Sequence, residues 1–124
     1  DLIITTSSNT NGIGSNIISS IGITNQRETL IAWDKLNGKP LYNAIVWLDL
    51  RTYDTVKALT MNEGKDRFRN ITGLPISTYF TALKIKWLID NIDNVNNAVK
   101  EGRCLFGTVD SWLTYNLTGG YNNN

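Results

Sequence analysis

Near Asp49 the apolar residues of this 124-residue chain change from a strand-like to a helix-like period, and that change limits the fold to a mixed α/β arrangement. Through Trp47 the pattern is that of strands. Ile17 to Thr24 (IISSIGIT) is β-branched with roughly period-two patterning, and Thr29 to Trp33 (TLIAW) reads as a second strand. The Asn37-Gly38 pair ahead of Leu41 to Trp47 (LYNAIVW) predicts a hairpin turn, so the first half is expected to be an antiparallel β element. From Asp49 the step becomes three. Tyr53, Val56 and Leu59 recur with Arg51 and Lys57 outside, as on a surface helix. Asn62 is placed to cap a short helix through about Arg69, and Thr72-Gly73-Leu74-Pro75 is a stop and turn signal. A helix from about Thr81 to Asn91 carries two apolar stripes, with Phe80, Leu83 and Trp87 on one side and Ile85, Leu88, Ile89 and Ile92 on another. Two stripes predict packing between layers. Cys104-Leu105-Phe106 reads as a short strand, and Thr108 caps a last helix whose Val109, Trp112, Leu113 and Leu117 share a face, closed by Gly119. The late strand and the two-striped helix are expected to need partners outside this chain, as in a piece of a larger domain.

Residues 5 to 16 (TTSSNTNGIGSN) and 119 to 124 (GGYNNN) are polar, low-complexity tracts in which burial cannot offset the entropy of ordering. The organisation expected is a low-complexity polar segment over 1–16, one α/β unit over 17–120, and a disordered tail over 121–124. Twelve Lys and Arg against eleven Asp and Glu leave a formal charge of +1, with no basic cluster to neutralise phosphates, so nucleic acid is not an expected partner. Histidine is absent and cysteine occurs once, which removes histidine bases, histidine metal sites, Ser-His and Cys-His pairs, and an internal disulfide. No run reaches the roughly 18 apolar residues of a membrane span, and the start lacks the pattern of a signal peptide; a soluble, cytoplasmic protein is expected. Asp49, Asp54, Asp66, Asp90 and Asp110 show no metal-ligand spacing, and Gly12-Ile13-Gly14 lies in no strand-loop-helix context for phosphate binding. Cys104, in an apolar run, reads as a small buried hydrophobe.

Asn25-Gln26-Arg27-Glu28 places four polar residues between two apolar runs. A solvated turn explains them; so does a polyol site, in which Glu28 accepts from hydroxyls and Arg27 donates to them. Successive strand residues point to opposite faces, so both can serve one ligand only if the backbone turns or bulges at 26 to 28. Trp33, Trp87 and Trp112 read as core. Trp47, ending an apolar run, can expose a ring face as a wall for C–H groups, and Tyr79 at a helix entry can reach a pocket with its phenol.

Several ordered stretches carry a resemblance: Ile21-Gly-Ile-Thr-Asn-Gln-Arg-Glu-Thr29, Trp33-Asp34, Pro40 to Trp47 with Arg51-Thr52, Ile71-Thr-Gly-Leu-Pro75, and Leu105-Phe-Gly-Thr-Val-Asp-Ser-Trp-Leu113 with Leu117-Thr-Gly-Gly120. Together they resemble the glycerol kinases, and Tyr79 to Asn91 is similar to a signature of the wider FGGY carbohydrate kinase family. The resemblance runs from about residue 17 to 120. It implies part of an actin-like, ribonuclease-H-like ATPase fold and, for the parent protein, Mg²⁺-dependent transfer of the ATP γ-phosphoryl group to glycerol. It also implies that Arg27 and Glu28 bind glycerol hydroxyls, that Trp47 walls its carbons, and that Tyr79 makes a further hydroxyl contact, with Asp49 and Arg51 in support. A homo-oligomeric parent is expected. The family's Asp-Gly-Thr/Ser phosphate motif is not found before Ile17, its catalytic base is expected beyond Asn124, and its adenine-binding domain is not in this sequence. The chain alone is therefore expected to be inactive. Arg27-Glu28 after Thr-Asn-Gln favours glycerol over larger sugars; another sugar or polyol kinase, and a non-catalytic binding or interaction protein of the same fold, are the alternatives.

Overall fold

The structure is a computed structural model in which residues 2–5 and 20–120 are described. Its elements are β1 (Leu2–Thr5), β2 (Ser20–Ile23), β3 (Ile31–Asp34), α1 (Tyr53–Thr60), α2 (Arg69–Thr72), α3 (Thr81–Asn91), α4 (Asp93–Lys100), β4 (Cys104–Gly107) and α5 (Val109–Leu117).

β3 organises the core, and all four of its residues are buried. It pairs antiparallel with β4, Ile31 opposite Gly107 and Asp34 opposite Cys104. The late strand expected to lack a partner thus finds one within the chain. A β strand needs its ladder filled, and β3 offers the free edge that the sequence alone does not reveal. On the other side of β3 the Asn37-Gly38 turn reverses the chain as anticipated. Leu41 N donates to Ala32 O (2.8 Å), and Leu30 and Ile45 exchange both bonds at 2.9 Å. Leu41 to Trp47 is nevertheless not a regular strand. Its pairing shrinks to the bridges Trp33–Pro40 and Leu30–Ile45; three steps on one side (33 to 30) meet five on the other (40 to 45), so two extra residues bulge out. Gly38 is required here, because its φ is +70° and a Cβ would fall 2.5 Å from Asn116 Oδ1.

The strands of the first half do not form one antiparallel element. β2 pairs with β1, Ile23 opposite Leu2, in a separate two-stranded sheet. β1 lies at the start of the stretch expected as a polar segment over 1–16, where Leu2–Thr5 extends the β2 edge. The rest of the polar tract, the expected strand residues 17–19 and the tail 121–124 lie outside the described residues.

α1 begins at Tyr53 rather than Asp49, because Asp49 Oδ1 accepts from Arg51 N (2.9 Å) and holds an Asx turn ahead of the helix. The helix expected over 62–69 does not form. Gly64 takes φ +73°, and Lys65 O accepts from Ile76 N (2.7 Å) instead of from a helical neighbour. Only the single turn α2 follows, and Gly73 ends it in the left-handed conformation, its N–H reaching Arg69 O (2.7 Å).

α3 matches its expected span. Leu88 enters the core with Leu30, Ala32, Ile45 and Val95, while Ile85, Trp87, Ile89 and Phe106 pack around them. Each fully buried aliphatic side chain here stabilises by about 1.5–3 kcal/mol. Of the other stripe, Trp87 thus turns to the core, while half-buried Phe80 and Leu83 line an open apolar groove with Leu59, Phe68 and Leu74. α4 was not foreseen: asparagine is a weak helix former, and only Val95 and Ala98, both 0% exposed, anchor it. α5 packs on β3 and β4, and Trp112 Nε1 donates to Gly38 O (2.9 Å). Thr108 stands at the N-cap, but its hydroxyl donates to Asp110 instead of capping the helix. The helix amide of Asp110 is taken by Asn25 Oδ1 (3.2 Å), brought from the far end of the chain.

Candidate functional site

The four polar residues after β2 form a turn. Thr29 N donates to Gln26 O (3.2 Å), and Glu28 takes φ +59°, the one positive φ outside glycine among the described residues. The turn that adjacent Arg27 and Glu28 require in order to serve one ligand is therefore present. Both of its ends are tied down. Asn25 Nδ2 donates to Thr108 Oγ1 (3.2 Å), while buried Thr29 donates its hydroxyl to Gln26 Oε1 (2.8 Å) and accepts from Trp47 N (3.1 Å).

Trp47 leaves the bulged return segment with 42% of its surface exposed. Its ring meets Tyr79 edge-on, centroids 5.8 Å apart at 67°. Tyr79 sits in the turn before α3, where its amide donates to Ser77 Oγ (3.2 Å) and its ring packs against Phe80. Arg27, Trp47 and Tyr79 line one open cavity of about 340 Å³ with Asn25 and Gln26. That lies at the lower end of the range of roughly 300–1,000 Å³ usual for small-molecule sites.

Glu28 is not on the wall of this cavity. Its carboxylate hydrogen-bonds the Tyr79 phenol, which is on the wall, and together with burial and its own charge this holds the phenol pKa above the ordinary 10.0. Tyr79 therefore stays protonated, its one O–H directed at Glu28 and its oxygen left to accept. Glu28 Oε2 is buried and has no hydrogen-bond partner among the described residues. A buried carboxylate oxygen of this kind is an acceptor still lacking a donor.

Asp49 and Arg51 flank the site without lining it. Arg51 Nε and Nη2 reach Asp49 Oδ1 and Oδ2 at 2.8 Å each, and the guanidinium stacks 4.7 Å from the Trp87 ring centre. This pairing, led by the side-chain hydrogen bond, holds the Asp49 carboxyl below its usual value and raises Arg51. Cys104 is half-buried and its thiol is pushed up to about 11 by burial, so it is not a nucleophile at neutral pH. Among the described residues no group of three or more His, Cys, Asp or Glu side chains converges as a metal site, and no helix is long and apolar enough to cross a membrane.

Sequence reasoning missed Lys84. It is 0% exposed, and its ammonium donates to the backbone carbonyls of Tyr79 (2.8 Å), Glu28 (2.9 Å) and Trp47 (3.4 Å). Desolvation lowers its pKa against the opposing pull of Asp49 and Glu28. One signal was available: a charged residue one step before Ile85, on a helix with apolar stripes on two sides, has little open water to face.

The chain matches, over residues 2–124, the N-terminal domain of the FGGY family of carbohydrate kinases. A glycerol kinase of Rhizorhabdus wittichii is 53% identical over 103 residues, which are 83% of this chain and 20% of that protein. A probable glycerol kinase of Caenorhabditis elegans is 55% identical over 113 residues, 89% of this chain and 22% of that protein. The crystal structure of Plasmodium falciparum glycerol kinase with ADP aligns with a TM-score of 0.77 at 46% identity, covering 84% of this chain and 21% of that one. The chain thus spans about a fifth of the length of these relatives.

Proposed function

The chain belongs to the FGGY family of carbohydrate kinases, within the N-terminal domain, and from that premise we propose that the protein carrying it transfers the ATP γ-phosphoryl group to glycerol, giving sn-glycerol 3-phosphate. Its α/β arrangement is part of the actin-like ATPase fold of the matching glycerol kinase. The observation that carries the substrate assignment is one cavity lined by Arg27, Trp47 and Tyr79, with the Glu28 carboxylate set against the Tyr79 phenol. A triol presents both donors and acceptors on a short apolar backbone. Arg27 donates to a hydroxyl, Glu28 accepts from one, Tyr79 contacts another, and the exposed face of Trp47 covers the C–H groups. What these side chains supply is binding and orientation, which bring one primary hydroxyl to a fixed position for in-line transfer.

ATP supplies the phosphoryl group and Mg²⁺ neutralises its charge; the described residues show no cluster suited to the cation, and neither group is assigned to a residue of this chain. No described residue is proposed as the general base. A cytoplasmic, self-associating enzyme is part of the same proposal, checked by cell fractionation and light scattering.

The test is a substrate panel with the full-length protein, ATP and Mg²⁺. Glycerol is expected to exceed pentuloses, hexoses and gluconate in kcat/KM by roughly a hundredfold or more, since groups placed for a triol leave larger substrates mispaired. Preference for a five- or six-carbon substrate would refute glycerol as the substrate.

A further inference from the structure

Lys84 is the largest side chain fully buried among the described residues. A buried ammonium requires partners, and the common solution is a carboxylate. Lys84 uses three carbonyl oxygens instead, those of Tyr79, Glu28 and Trp47. An ammonium has three N–H donors, and all three are engaged. A role in packing alone would be served by methionine. The acceptors come from three separate segments: the turn after β2, the loop before α1 and the turn before α3.

We propose that Lys84 is the positioning residue of the glycerol site, its ammonium tying together the backbones of Glu28, Trp47 and Tyr79 so that their side chains keep a fixed spacing. This rests on the polyol-site reading above. The base of the tripod is rigid, because one turn further along α3 Leu88 is 1% exposed in the core and Trp87 packs beside it. The left-handed backbone at Glu28 has the same dependence. Such a conformation persists only where the surroundings over-determine it, and here the Glu28 carbonyl is held by Lys84 while Thr29 next to it is held by Gln26 and Trp47. Lys84 itself does not line the cavity, so it acts through the three residues it holds.

The experiment compares Lys84→Met, of similar length without donors, and Lys84→Gln, shorter with two donors, against wild type in the full-length protein. Glycerol KM should rise about tenfold or more in Lys84→Met, and less in Lys84→Gln, while KM for ATP stays within about twofold. Hydrogen exchange, read without substrate, should quicken in residues 26–30, 46–49 and 77–80 together while β3 stays protected. If Lys84→Met does not fold, Lys84→Gln carries both readouts. Unchanged exchange in any two of the three segments, or equal rises in both KM values with loss of β3 protection, overturns the positioning role. If wild type prefers another polyol, the glycerol assignment fails on its own, and the KM ratio is read on that polyol.

Discussion

Glu28 combines two properties that a single substitution can separate. Its backbone is left-handed at φ +59°, which for a residue with a Cβ costs about 1–2 kcal/mol. Its carboxylate faces Tyr79 with Oε2 unpartnered. Glu28→Gly removes the backbone strain and the carboxylate at once. The strain relief is set against glycine's greater unfolded-state entropy of roughly 0.5–1 kcal/mol, so stability should change by no more than about 1 kcal/mol in either direction. Glycerol binding should lose a hydrogen bond to a charged group, about 1.5–3 kcal/mol, or a rise in KM of roughly ten- to a hundredfold. Glu28→Gln keeps shape and strain but weakens the acceptor, so its glycerol KM should rise as well, while its stability should stay near that of wild type. The assays are urea denaturation and steady-state kinetics of the full-length protein at saturating ATP. An unchanged glycerol KM in both variants would remove Glu28 from the site, and a large loss of stability in Glu28→Gln would make the residue a structural one.

Trp47→Ala should raise the glycerol KM several-fold while lowering stability only by about its edge contact with Tyr79, roughly 0.5–1.5 kcal/mol; a loss of about 3–5 kcal/mol in denaturation would identify a core tryptophan instead. Asp34 is held below the usual carboxylate range by the Leu36 amide (2.9 Å) and the Arg103 guanidinium, against the desolvation of its site. A depressed folded pKa gives stability that is present above about pH 4 and lost as pH falls through the folded value. Acid unfolding of Asp34→Asn should therefore be flatter below pH 4 than that of wild type, and superimposable acid profiles would refute the assignment.

Residue type and local spacing determined a good deal. The spans of α3 and α5, the Asn37-Gly38 reversal, the stop at Gly73 and the strand character of β3 and β4 all follow from patterns a few residues long. Tertiary structure decided the rest. β4 had no visible partner because strand pairing joins residues far apart in sequence, and nothing local names β3 as the free edge. α4 forms because Val95 and Ala98 meet a core built by other segments, which overrides the weak propensity of its asparagines. The turn at Glu28 and the burial of Lys84 belong to the same class. A left-handed glutamate and a charge without water are unfavourable locally, and they persist only because three carbonyls, two of them remote in sequence, and one ammonium satisfy one another once the chain has folded.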